Sequence, residues 1–145
     1  YTITLSGANY TLVDTRAGSP DGTDTVHNTT EFFQFANGTI PASQLLNVAP
    51  TITGISNNSV QEQSANGTPV GTVTSSDGNS LDTRSFSLID NAGGRFQINT
   101  TSGLVSVLDG SMLLIANQPT HEITVRVTDA KGLTGDMVIL ITLTA

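Results

Sequence analysis

Ile123-Thr-Val-Arg-Val-Thr-Asp129 alternates aliphatic and polar side chains along its length and ends on an acid. In an extended chain successive side chains point to opposite faces, so Ile123, Val125 and Val127 form a dry face and Thr124, Arg126 and Thr128 a wet one. That is the pattern of an antiparallel strand with one side on a core and the other in water. Phe86/Leu88, Phe96/Ile98 and Val105/Val107 repeat it. Met137-Val-Ile-Leu-Ile141 departs from it, being apolar on both faces, which predicts a strand covered on both sides or a sticky edge managed by its neighbours.

Working outward, strands are predicted at about 51–56, 69–74, 84–89, 95–99, 104–108, 121–128 and 137–143, with Gly, Asn, Asp and Ser clusters between them. Short strands separated by turn signals are the pattern of an all-β sandwich. Ser102-Gly103 reads as a plain hairpin turn. A helical period is visible only at Pro41–Leu46 and Met112–Ala116, so helix content should be low.

Pro50 marks a boundary, because proline cannot donate to a ladder and pushes its predecessor into an extended conformation. The chain is accordingly read as two parts, 1–46 and 47–145. In the first, Tyr1-Thr-Ile-Thr-Leu5 and Tyr10-Thr-Leu-Val-Asp14 flank the turn residues Ser6-Gly-Ala-Asn9 and predict a β-hairpin. Further on, Phe32, Phe33 and Phe35 read as core and precede a tight turn at Asn37-Gly38. One hairpin and a strand bury too little to be stable alone, so this part should act as an appendage to another body.

Composition narrows the function classes. Among 145 residues, 12 acids against 5 bases leave a net charge of −7. Nucleic acid is excluded as a partner on that balance, because phosphate binding rests on Lys and Arg. With no cysteine there is no disulfide, no thiolate nucleophile and no Cys-based metal site, and in an extracellular module that absence favours a bacterial source. No apolar run reaches the roughly 20 residues of a membrane helix. Tyr1 opens directly into a strand pattern with no signal peptide, as expected of a piece cut from a larger polypeptide.

His27 and His121 are far apart and neither has a second ligand at metal spacing, so zinc is not indicated. The Gly-x-Ser-x-Gly nucleophile pattern is absent. With no Trp and two Tyr there is little to stack on a sugar. The residues therefore point away from catalysis.

Four pieces, namely Asn47-Val-Ala-Pro-Thr51, Val70-Gly-Thr-Val-Thr74, Leu88-Ile-Asp-Asn-Ala-Gly-Gly-Arg-Phe-Gln-Ile-Asn99 with Thr101-Ser-Gly103, and Ile123-Thr-Val-Arg-Val-Thr-Asp129, resemble the bacterial cadherin-like repeats of large secreted adhesins. The resemblance implies a seven-stranded Greek-key β-sandwich, found in tandem, with calcium at the junctions between modules. Within 1–46, Asp21-Gly-Thr-Asp-Thr25, Asn28-Thr-Thr-Glu-Phe-Phe-Gln-Phe35 and Ala36-Asn-Gly-Thr-Ile40 resemble the end of an RTX-type region, the calcium-binding repeats of type I secreted proteins. The Gly-Gly-x-Gly-x-Asp repeats themselves are absent.

Carried over residue by residue, the resemblance implies calcium ligands at Asp77 and Asp129, with Glu62, Asp21 and Asp24 as weaker candidates. Calcium takes roughly six to eight oxygens, and several of the family's acids are missing: Leu114-Ile-Ala116 stands where an Asp-x-Glu pair belongs, the second acid near Asp77 is lacking, and Leu46-Asn-Val-Ala49 replaces an acidic linker. Against the ligand reading stands the plainer one, in which these acids cap turns. The expected function is a non-enzymatic structural or adhesive module of a large secreted or cell-surface bacterial protein. Its partners are expected to be neighbouring modules of the same polypeptide and a cell-surface glycan or protein. A carbohydrate- or protein-binding sandwich, or an accessory domain of a secreted enzyme, is the alternative.

Overall fold

The structure, a computed structural model, describes residues 2–6, 9–13, 23–27, 32–35, 38–41, 46–79 and 82–145. The chain divides into two compact units, 1–48 with 78–81 and 49–77 with 82–145.

In the first unit β1 (Thr2–Ser6), β2 (Asn9–Val13) and β3 (Thr23–His27) form an antiparallel sheet in that order, with Thr2 opposite Val13 and Asn9 opposite His27. The predicted hairpin is thus present. It gains a third strand, Thr23-Asp-Thr-Val-His27, which pairs with β2 along its whole length although Val26 is its one aliphatic residue. Leu12 is its buried aliphatic residue among those described. A separate hairpin pairs β4 (Phe32–Phe35) with β5 (Gly38–Pro41), Phe35 opposite Gly38. Pro41 ends this strand, where its missing N–H is tolerated. The expected burial of Phe32, Phe33 and Phe35, and the helical period over 42–45, lie outside the described residues.

The second unit is a sandwich of two four-stranded sheets. One, in the order β10-β11-β8-β6, contains β6 (Thr51–Ile55), β8 (Pro69–Ser76), β10 (Phe96–Ile98) and β11 (Leu104–Val107). The other, β7-β13-β12-β9, contains β7 (Ser59–Gln61), β9 (Arg84–Asp90), β12 (Thr120–Asp129) and β13 (Thr134–Thr144). Every predicted strand of this part is present. The one the sequence did not announce is β7, only Ser-Val-Gln long.

That short strand is where the first strand changes sheets. A bulge between Ile52 and Gly54 shifts the register of β6 on β8, and past the end of β6 the Asn57 amide donates to the carbonyls of Ser59 and Val70, both at 2.7 Å. Asn58 completes the switch by donating to Leu140 C=O and accepting from Thr142 N–H. Thereafter β7 pairs with β13 in parallel. Gly71 is required where the strands pass, because a Cβ there would collide with the Asn57 backbone.

The core lies between the sheets and is built from every second side chain. Phe96, Val105, Val107, Leu113, Ile123, Val125, Val127 and Ile141 are fully buried. At about 1.5–3 kcal/mol for each large aliphatic or aromatic side chain buried, this layer is the main source of stability. Two local expectations need correcting. Met112–Ala116 forms no helix: a 3-10 turn at Gly110–Met112, capped by Asp109, is followed by a second turn closed by Asn117 and Gln118 N–H on Leu114 C=O. Strand β13 is neither covered on both faces nor an outermost strand. It runs between β7 and β12, its inner Ile139, Ile141 and Leu143 buried and its outer Val138 and Leu140 left 60% and 46% exposed.

Candidate functional site

The sequence places its candidate ligands at the two ends of the sandwich. At the first end Asp129, the last residue of β12, is 6% exposed. Its Oδ1 accepts the N–H groups of Lys131, at 2.9 Å, and Leu133, at 2.8 Å. Its own backbone closes the same turn, with Asp129 N–H to Leu133 C=O and Gly132 N–H to Asp129 C=O. This is the cap that a short acid makes when it follows the backbone around a turn. Asp77, half-buried, lies just past β8.

A carboxylate outside the expected ligand set enters here. Asp82 Oδ2 sits 3.8 Å from Lys131 Nζ, with the Asp82 side chain 17% exposed. The expectation that the second acid near Asp77 is missing is thus qualified: an acid exists five positions on, but it faces an ammonium group. Its spacing from Asp77 in Asp77-Gly-Asn-Ser-Leu-Asp82 is the only signal the sequence carries, and nothing local announces that Lys131 would meet it.

At the opposite end Glu62, next to β7, accepts the N–H of Ile115 on Oε2 at 3.0 Å, and its own N–H donates to Thr144 C=O at 2.8 Å. It staples the start of the sandwich to the 113–117 turns and to the end of β13. Leu114-Ile-Ala116 offers it backbone and no side-chain oxygen. In the first unit Asp24 stands within β3 opposite Leu12, in a strand rather than in the turn the sequence suggests. Asp21 lies outside the described residues.

Among the described residues no group of three or more His, Cys, Asp or Glu side chains is close enough to hold a metal ion. The donors agree with that geometry. One oxygen each of Asp129 and Glu62 is taken by peptide N–H groups, and Asp82 faces a lysine. Calcium needs roughly six to eight oxygens at about 2.3–2.6 Å, and Asp129 and Glu62 as placed do not make up such a set.

His121 is 2% exposed, its ring tilted against Phe96 at 6.2 Å between centroids, with Nε2 buried and lacking a hydrogen-bond partner. Burial, and then the nearby Arg95 charge, hold its pKa below the usual 6.5. Beside it an open cleft of about 420 Å³ is lined by Asp90, Arg95, Gln118, Thr120 and Glu122. Arg95 is committed within the protein, donating to the carbonyls of Ala92 at 2.6 Å and Met112 at 3.3 Å. No aromatic platform for a sugar ring lines this cleft.

Solved structures similar to the chain share one architecture. Chicken VE-cadherin EC1-2 superposes with a TM-score of 0.60 at 23% identity, over 95% of this chain and 68% of that one. The human desmocollin-1 ectodomain matches with a TM-score of 0.61 at 19% identity, over 94% of this chain and 30% of that one. The sandwich is cadherin-like. Mouse cadherin-23 EC22-24 agrees, with a TM-score of 0.58 at 22% identity over 94% of this chain and 42% of that one. The chain therefore spans well under half the length of the desmocollin-1 and cadherin-23 chains, and about two thirds of the VE-cadherin one. No protein-family model matches the sequence, and no curated protein matches it either. At these identities the cadherin-like sandwich is a statement about fold.

Proposed function

We propose that the chain is a non-enzymatic structural or adhesive module of a large secreted or cell-surface bacterial protein, with 1–46 as an RTX-like lead-in and 47–145 as a cadherin-like repeat. The observation that carries this reading is the direction of the first and last strands of the sandwich. Pro50 and Thr51 enter beside the start of β13, so close that a Cβ on Gly135 would collide with the Pro50 carbonyl. The strand β7 then runs parallel to β13, and Thr144 finishes beside Glu62 at the far end. First and last strands thus begin at one pole and finish at the other, which suits a module strung in series. At roughly 3.3 Å per residue the 11 residues of β13 span about 35 Å.

The absence of cysteine supports the bacterial setting, as does the want of any need for one: the buried aliphatic layer stabilises the sandwich without disulfides. One oxygen each of Asp129 and Glu62 is held by peptide N–H groups and Asp82 faces Lys131, so the reading does not depend on calcium. Small-angle X-ray scattering on two chains joined in tandem tests it. The maximum dimension should exceed that of one chain by at least about 35 Å, and a tandem no longer than the single chain would refute it.

A second reading, a protein-binding face, is favoured by the exposed Ile89 (52%), Val138 and Leu140 on the outer side of the β9-β12-β13 sheet. Glycan binding has less support, given the cleft without aromatic residues. Retention of the chain on a cell surface separates the two functions: Val138→Lys should abolish retention if that face binds and leave it unchanged if the module only spaces.

A further inference from the structure

The segment leading into β6 carries no acid, yet it is held at two points. Asn79, 1% exposed, directs its carboxamide at the backbone of that segment. Its Oδ1 accepts the Val48 N–H at 2.7 Å, and its Nδ2 donates to the Leu46 C=O at 2.7 Å. The neighbouring Gly78 packs on Val48, where an added Cβ would sit 3.4 Å from the Val48 Cβ.

A carboxamide offers one acceptor and one donor side by side, which is what two peptide groups facing the same way require. Neither a metal ion nor a carboxylate can do both jobs, since a cation repels the N–H and an ionised acid has nothing to donate to the C=O. Both bonds are part-buried, and removing either leaves a peptide group without its partner, which is unfavourable. We propose that Asn79 is a metal-independent clamp on residues 46–48, holding that segment with an uncharged side chain and no ion. The resemblance to calcium-linked repeats then extends to the fold and stops short of the metal.

Amide hydrogen exchange in the 145-residue chain, followed by NMR, tests the clamp. The Val48 amide and an Asn79 side-chain proton should both be protected in EGTA, and no further by added calcium chloride. In Asn79→Ala the Val48 amide should exchange about tenfold faster, while Ile123 and Val125 keep their protection and so report an intact sandwich. Asn79→Asp, whose carboxylate still accepts the Val48 N–H but cannot donate to Leu46, should leave Val48 less protected than in the unaltered chain and better protected than in Asn79→Ala. The clamp is overturned if EGTA releases Val48 in the unaltered chain, if the Asn79 side-chain proton exchanges freely there, or if Asn79→Ala leaves Val48 protected.

Discussion

His121 and Asp129 are both buried polar residues on the inner face of β12, and they behave oppositely because one has partners for its oxygen and the other has a nitrogen without any. The folded state holds His121 neutral, with its pKa depressed, whereas the unfolded chain titrates near 6.5. The unfolded state therefore binds more protons as pH falls through that value, and stability present above about pH 6.5 is lost below it. Urea midpoints should drop between pH 7 and pH 5, by up to about 1.4 kcal/mol per pH unit, and His121→Leu should flatten that part of the profile. For Asp129, removal of the side chain leaves two turn N–H groups without their acceptor. Asp129→Ala should destabilise by about 1–3 kcal/mol, and by the same amount with calcium or EGTA present. A loss seen only with calcium would restore the ligand role.

At the scale of elements, β13 shows how a doubly apolar strand is accommodated. Its inner side chains enter the core, and its outer ones stand in water beside Arg126 of β12, which makes a two-pronged ion pair with Asp136 at 2.7 Å. The hydrogen bonds of that pair raise the Arg126 pKa and lower that of Asp136, though both groups are exposed and the pair adds little. Substitution by lysine should read the two faces apart. Val138→Lys is expected to change stability by less than about 0.5 kcal/mol, whereas Ile139→Lys, placing an ammonium in the core, should prevent cooperative folding at neutral pH, as circular dichroism on heating would show. Equal effects would mean the face assignment is wrong. The element hardest to foresee is β7, because three residues do not establish a period and its pairing depends on Asn57 and Asn58 turning the chain.

For the whole molecule, stability is concentrated in the layer between the sheets, and Phe96 is the largest side chain wholly inside it. Phe96→Ala should lower the unfolding free energy by about 3–5 kcal/mol, enough to remove much of the roughly 5–15 kcal/mol typical of a domain. Guanidinium titration would measure it, and a loss under about 1 kcal/mol would mean the sheets are not packed through this residue. The same architecture explains why turn caps and calcium ligands look alike at the poles. These are the ends of the sheets, where strands stop and acids gather in turns, so a cap and a metal ligand draw on the same residue types at the same places.

Alternation along Ile123–Thr128, Phe86/Leu88 and Val105/Val107 is sufficient to assign each strand and its buried face, since a period of two is written in neighbouring residues and needs no partner to be read. The turn at Ser102-Gly103 is legible for the same local reason. The partners of Glu62, Asp82 and Asn79 are not. Glu62 and Asp82 meet a distant loop and a lysine from another turn, and Asn79 meets a segment more than thirty positions earlier. Such meetings depend on which chain segments the packed sheets bring together, and only the tertiary structure decides whether a carboxylate there caps a peptide group or remains available to an ion.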